Sequence, residues 1–299
     1  MNSGERVAKR LARAGICSRR DAERLIEQGR VKVDGRTIET PATLVTEASR
    51  IEVDGQAVAA PQRPRIWLFH KPPGLVVTAR DPEGRPTVFD NLPHDMPRVI
   101  SVGRLDIASE GLLLLTNDGA LARRMELPAT GLDRRYRVRA HGRIDQATLD
   151  RLSEGLMIDG VRYGPIRARL ERQQRSNNWI TVTLREGKNR EVRRVMEHLG
   201  LVVNRLIRIG YGPFNLEALP EGEVMEASAR QVDLMMGAEG YDADGRKPGW
   251  ARPAPKAHSY GRHKPPKDGE PAPSPNKPES WRGPTRPRRT LAVQARDKR

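Results

Sequence analysis

The run Leu112-Leu113-Leu114-Leu115, bounded by Gly111 ahead and Asp118-Gly119 behind, constrains the fold more than any other part of this chain. Four leucines closed by turn-forming residues are too short for a free-standing helix, and they read as a fully buried strand. A buried strand is a rigid mount. The segment before it, Val102-Gly103-Arg104-Leu105-Asp106-Ile107-Ala108-Ser109-Glu110, is therefore a loop anchored beside the core. Reactive side chains concentrate on loops held by such scaffolds, which makes Asp106 a first candidate for chemistry. Taken alone, an Asp in this place is better read as capping a turn or pairing with Arg104.

Charge indicates the class of partner. The 299 residues carry a net charge of +16 and a pI near 10.6, which calls for a polyanion; ribosomal RNA, DNA and acidic membrane all qualify. No apolar run approaches the length of a membrane span, and the N-terminal stretch lacks the apolar core of a signal peptide. Cys17 is the only cysteine, so intramolecular disulfides and Cys-based zinc sites are excluded and a reducing cytoplasm is the expected location. Residues 241–299 hold 15 Lys or Arg against 6 Asp or Glu, thus +9 of the +16, together with 11 of the 24 prolines. Such a segment cannot bury enough apolar surface to offset its ordering entropy, and a disordered, phosphate-seeking tail is expected.

Residues 6–60 read as a compact unit. Arg6 to Ala14 is expected to be a helix stopped by Gly15, and Ser18 is placed to cap a second one, with Asp21 three residues on as a weak capping box. Val31-Lys32-Val33 and Ile51-Glu52-Val53 alternate into Asp34-Gly35 and Asp54-Gly55, which are hairpin signals. After the linker Ala59–Pro64, residues 66–235 mix strand-like and helix-like segments with no fixed repeat. That pattern implies an α+β domain around a mostly antiparallel sheet. Helices are expected at 119–126, 145–153 and 190–199, and strands at 66–69, 136–140, 179–184 and 204–209.

Two stretches bear family resemblances. Leu11 through Gly35 resembles the alpha-L RNA-binding module, whose two helices lay basic residues on RNA phosphates, and Arg10, Arg13, Arg19, Arg20 and Arg24 cluster around the two helices; a solvated helix face is the plainer alternative. The string from Gly103 through Gly119 resembles the catalytic motif of the pseudouridine synthases related to the small-subunit ribosomal RNA enzyme, Gly-Arg-Leu-Asp followed by Gly-Leu-Leu-Leu-Leu-Thr-Asn-Asp-Gly. That resemblance implies conversion of uridine to pseudouridine in ribosomal RNA. The reaction breaks the bond from ribose to base nitrogen, turns the uracil and rejoins it through carbon 5, with no need of redox chemistry, phosphoryl transfer, metal or cofactor.

The resemblance also implies site residues. Asp106 is the reacting carboxylate, either as nucleophile at ribose carbon 1′ or as base for the 2′ proton. Tyr136, in the second motif Arg134-Arg135-Tyr136, is the ring that stacks on the target uracil; Arg134 stands where relatives carry Lys. Arg193, in the third motif Glu186-Gly187-Lys188-Asn189-Arg190-Glu191-Val192-Arg193, is the cation that pairs with Asp106. Arg104 fills the space that the flipped base leaves. Lys71, Lys188, Asn189 and Arg190 are expected to meet substrate, as are Arg10, Arg13, Arg19 and Arg20. Glu110 could suggest a glycosidase carboxylate pair with Asp106, but the resemblance makes it structural. The stretches 189–194 and 205–212 look most like the large-subunit branch of the family, so large-subunit ribosomal RNA is the expected partner and a monomer the expected form. The small-subunit enzyme is the alternative within the family. An RNA-binding assembly factor with an inert site is the rival outside it.

Overall fold

The computed structural model describes residues 4–237 and the backbone of the two-residue strand Ser259–Tyr260. Apart from those two residues, the Pro-rich segment expected to be disordered lies outside the described residues. No helix among them is long and apolar enough to cross a membrane.

Two helices, α1 (Val7–Arg13) and α2 (Arg19–Glu27), open the chain. Ser18 caps α2: its Oγ accepts the Asp21 N–H at 3.1 Å and donates to the Asp21 carboxylate at 2.7 Å. Asp21 meets the serine hydroxyl rather than reaching back to its backbone N–H, so the pair stops short of a full capping box. Both Asp-Gly pairs form hairpin turns with positive φ at each position, 50° and 81° at Asp34-Gly35 and 53° and 78° at Asp54-Gly55, the backbone that a two-residue turn between twisted strands requires. They join a four-stranded sheet beneath which Leu11, Ile26, Val31 and Val45 are buried.

The remainder is built on a ten-stranded sheet, mostly antiparallel, in agreement with the α+β expectation. Its central strands, in spatial order, are Asn177–Leu184, Arg134–His141, Val202–Tyr211, Glu110–Thr116 and Ile66–Lys71. All seven residues of the leucine strand Glu110–Thr116 are buried. Side chains alternate across a strand, and here each face has its own core: Leu112 and Leu114 pack with Tyr211 and Phe214, whereas Leu113 and Leu115 pack with Trp67 and Phe69. Burial on both sides is why the apolar run is unbroken. One edge of this strand pairs antiparallel with Ile66–Lys71; the other pairs parallel with Val202–Tyr211, placing Ile207 opposite Glu110 and Arg208 opposite Gly111. At Gly111 (φ 101°) a Cβ would sit 2.4 Å from the Arg208 carbonyl oxygen, so only glycine permits this seam.

The end of the leucine motif is scaffolding. Thr116 Oγ1 donates to the Arg65 carbonyl at 2.7 Å, and Asn117 accepts the Arg65 N–H at 2.7 Å. Asp118 caps helix α3 (Gly119–Glu126), accepting from the Ala120 and Leu121 N–H groups at 2.7 and 2.9 Å. Helix α4 (Gln146–Asp150) continues into a 3₁₀ turn, and α5 (Glu191–His198) buries the expected stripe Val192, Val195 and Met196. Helix α6 (Ala229–Met236) ends the described domain.

Candidate active site

Gly103, Asp106, Tyr136, Lys188, Arg190 and Arg208 are among the residues that line one open cleft of about 670 Å³. Three chain segments supply most of them: the loop before the leucine strand, the strand carrying Tyr136, and the turn into α5. The cleft sits where the parallel seam begins, because Tyr136 lies opposite Arg208 on one side and Arg208 lies opposite Gly111 on the other.

The Asp106 loop is held by its own carbonyls. Lys71 Nζ donates to Ser109 O at 2.8 Å, to Pro72 O at 2.8 Å and to Ile107 O at 3.4 Å. Ile107 O also accepts the Gly74 N–H at 2.7 Å. Arg193 Nη2 donates to Ala108 O at 3.2 Å, and its Nη1 to Val203 O at 3.3 Å. Lys71, expected among the substrate-facing residues, is thus fully buried beneath the loop. Burial lowers its pKa to about 8, with Asp106 and Glu110 opposing the shift.

A second correction concerns the cation paired with Asp106. Arg193 faces inward on α5, engaged by two backbone carbonyls, and it forms no ion pair with Asp106. Burial and the neighbouring Arg190 pull its guanidinium below the ordinary range while Asp106 opposes them. The cation nearest Asp106 is Arg190, with Nη1 4.0 Å from Oδ2. It reaches there from a left-handed backbone (φ 51°) at the N-cap of α5. Arg104 is exposed at the cleft rim and does not pair with Asp106, so the neighbour pairing that the sequence allows is not formed. Glu110 is buried and bound by Arg205 through both carboxylate oxygens, a structural role.

Tyr136 is half-buried between two cores. Behind it, Arg134 is a buried strut that donates to the carbonyls of Arg185 and Glu126 and, at 3.0 Å, to Tyr211 Oη. Tyr211 in turn donates to Met125 O at 2.8 Å; burial raises its pKa, with Arg134 and Arg208 opposing. Lys188 pairs with Glu186 and Asn189 is exposed. Glu191 is buried, its Oε2 accepting the Lys188 N–H at 2.8 Å, and burial raises its pKa.

The basic cluster of the N-terminal unit divides. Arg19 and Arg20 are exposed and, among the described residues, carry no ion pair. Arg10 and Arg13, expected to face RNA, instead turn inward to Glu5 at 3.6 and 3.0 Å, and Arg13 also reaches Asp118 at 3.6 Å. Arg208 is the cleft residue that sequence reading passes over. It shares the inward parity of Leu206, two positions earlier on the same strand, and a cation at a core-facing position is the available signal.

Comparisons with known proteins bear on the same residues. The sequence model described as RNA pseudouridylate synthase matches residues 65–198, and that of the S4 domain matches residues 5–51. A Rickettsia felis protein described as an uncharacterized RNA pseudouridine synthase is 53% identical over 229 residues, covering 77% of this chain and 99% of the relative. Ribosomal large subunit pseudouridine synthase B of Yersinia pestis is 44% identical, over 78% of this chain and 75% of the relative. The Salmonella typhimurium protein of that name is 42% identical, over 78% and 82%. Among solved structures, a pseudouridylate synthase superposes with a TM-score of 0.54 at 26% identity, covering 77% of this chain and 99% of the other. The stretch that builds the cleft from Asp106 to α5 lies within the matched region, and the chain belongs to the RNA pseudouridine synthase family.

Proposed function

We propose that this enzyme isomerises a uridine of large-subunit ribosomal RNA to pseudouridine, with Asp106 as the reacting carboxylate and Tyr136 as the ring against which the uracil stacks. The observation that carries this reading is the placement of the Asp106 carboxylate and the Tyr136 ring in one cleft bordered by cations. The large-subunit target is supported by relatives of that name at 40–44% identity. The Asp106 side chain is 30% exposed, open to a ribose. Whether it attacks carbon 1′ or takes the 2′ proton, both routes need the same free oxyanion. A uridine inside folded RNA must first leave its stack, at a cost of roughly a few kcal/mol, and in this reading Arg104, exposed at the cleft, fills the gap. Arg19 and Arg20, with the S4-like unit, supply phosphate contacts that position without specifying. The enzyme works as a monomer in the cytoplasm, without cofactor.

The test is Asp106→Asn, which keeps shape and deletes the reacting oxyanion. Single-turnover formation of pseudouridine on a large-subunit fragment is expected to vanish while affinity for that fragment stays within about twofold. Activity within about tenfold of the parent removes Asp106 from the mechanism. Mapping pseudouridines in cells lacking the gene identifies the target. Loss of a small-subunit site would move the assignment to the other branch, and loss of none would favour the assembly-factor reading.

A further inference from the structure

Arg208 is 3% exposed, yet it lies in the wall of the cleft beside Asp106 and Tyr136. Among the described residues only one of its guanidinium nitrogens is engaged: Nε donates to Leu112 O at 2.7 Å. Nη2 is buried with no partner, and no carboxylate among the described residues pairs with this cation. The Tyr211 ring, its centroid 5.2 Å from Cζ, covers one face of the guanidinium. A buried cation lacking an acceptor is costly, and such a group calls for a partner, whether water, an ion or a ligand. Neighbouring strands lie about 4.8 Å apart, and Tyr136 is the cross-strand partner of Arg208. Tyr136 and Arg208 therefore stand side by side in the cleft wall, and a ring stacked on Tyr136 lies within reach of the guanidinium.

We infer that Arg208 is a base-binding residue whose terminal guanidinium nitrogens donate to a carbonyl oxygen of the target uracil. This rests on the proposed isomerase reading. The chemistry of the turn supports it. Rotation about the axis through N3 and C6 exchanges N1 with C5, and the same rotation exchanges the C2 and C4 carbonyls. A donor fixed at one carbonyl position therefore meets an oxygen both before and after the turn. When the N1–C1′ bond breaks, the base leaves with the electron pair, and the charge spreads onto its carbonyl oxygens. A buried cation at that edge stabilises the detached base more than the bound uridine, as transition-state complementarity requires. Cytosine presents an amino group in place of the C4 oxygen, so a donor directed there also rejects it.

The test uses the full-length protein and an RNA fragment carrying uridine, 2-thiouridine or 4-thiouridine at the target position, since sulfur is the weaker acceptor. Single-turnover rates are compared for the parent and Arg208→Met. The parent is expected to be about tenfold slower on one of the two thio-substituted RNAs. Arg208→Met is expected to lose roughly 10- to 100-fold on uridine and to treat oxygen and sulfur nearly alike. A residue that only supports the fold would slow all three substrates together and leave their ratios unchanged. Ratios in Arg208→Met equal to those of the parent, or a parent indifferent to sulfur, overturn the inference while leaving the isomerase reading intact. A parent that forms no pseudouridine on any ribosomal fragment overturns that reading instead. Should Arg208→Met fail to fold, Arg208→Lys keeps the buried charge but not the planar fork, and the same ratios are read on it.

Discussion

Asp106 is fixed by carbonyls on either side of Ala108, and by that of Ala108 itself, rather than by a strong bond to its own carboxylate. Two cations do the holding, Lys71 from below and Arg193 from α5, and a third, Arg190, faces the carboxylate itself at 4.0 Å. This division gives opposite responses to lysine. Arg193→Lys cannot span Ala108 O and Val203 O together, so its single-turnover rate should stay roughly 10- to 100-fold below the parent. Arg190→Lys keeps a point charge where only a distant charge is needed, and should stay within about threefold of the parent. Full activity in Arg193→Lys would contradict the loop-holding role. Lys71 gives a pH signature. Its folded pKa near 8 lies below the ordinary 10.5, so between those values the unfolded chain binds more protons and stability rises with pH. The slope from this group approaches about 1.4 kcal/mol per pH unit. Denaturant unfolding from about pH 7.5 to about pH 10.5 should show the parent gaining on Lys71→Met across that window, and parallel curves would refute the buried ammonium.

At the scale of elements, the leucine strand is the organising piece, and Gly111 is its weakest point for substitution. Gly111→Ala adds a Cβ 2.4 Å from a backbone oxygen at φ 101°, where neither chain can yield without opening the parallel seam. A loss of at least about 2–3 kcal/mol in unfolding free energy is expected, together with loss of turnover; a change under about 1 kcal/mol would mean that the two strands can part at little cost. Legibility in the sequence follows the strength of local signals. The leucine strand, α3, α5 and the first two Asp-Gly hairpins are readable because period, caps and turn chemistry agree. The strand Arg167–Gln174 escapes sequence reading because its Arg-Ala-Arg-Leu-Glu-Arg-Gln-Gln sequence places little apolar surface on either face. Helix α6 escapes it too, although Ser228 and Gln231 form a full capping box, and so does the third Asp-Gly turn, Asp159-Gly160. Within the site, Asp106 and Tyr136 stand out through motif resemblance. Arg193, Lys71 and Arg208 do not reveal their partners, because those partners are backbone carbonyls that no side-chain pattern encodes.

For the whole molecule, the same limit explains the basic cluster of the N-terminal unit. Helical spacing shows which arginines share a face, but not that Glu5 lies ahead of the helix or that Asp118 arrives from the catalytic domain to take Arg13. The exposed pair should therefore dominate RNA affinity. Replacing Arg19 and Arg20 with Ala should flatten the slope of log affinity against log salt on single-stranded RNA, by roughly 0.7 for each phosphate that is no longer neutralised. Arg10→Ala should leave that slope unchanged and lower the melting temperature instead. Equal slopes in both variants would restore the plainer reading of a solvated helix face.

The parallel seam also sets the order of events in the life of the chain. Asp106 and Tyr136 both precede the middle of the catalytic domain, but the strand that completes their cleft, Val202–Tyr211, comes near its end. Pairing residue 207 with residue 110 is a long-range closure, slow and favourable only when the packing on both sides of the strand is in place. A nascent chain that has emerged through Tyr136 carries both side chains on elements with no common pocket. Formation of the cleft thus requires almost the whole catalytic domain, since the strand that closes it is Val202–Tyr211.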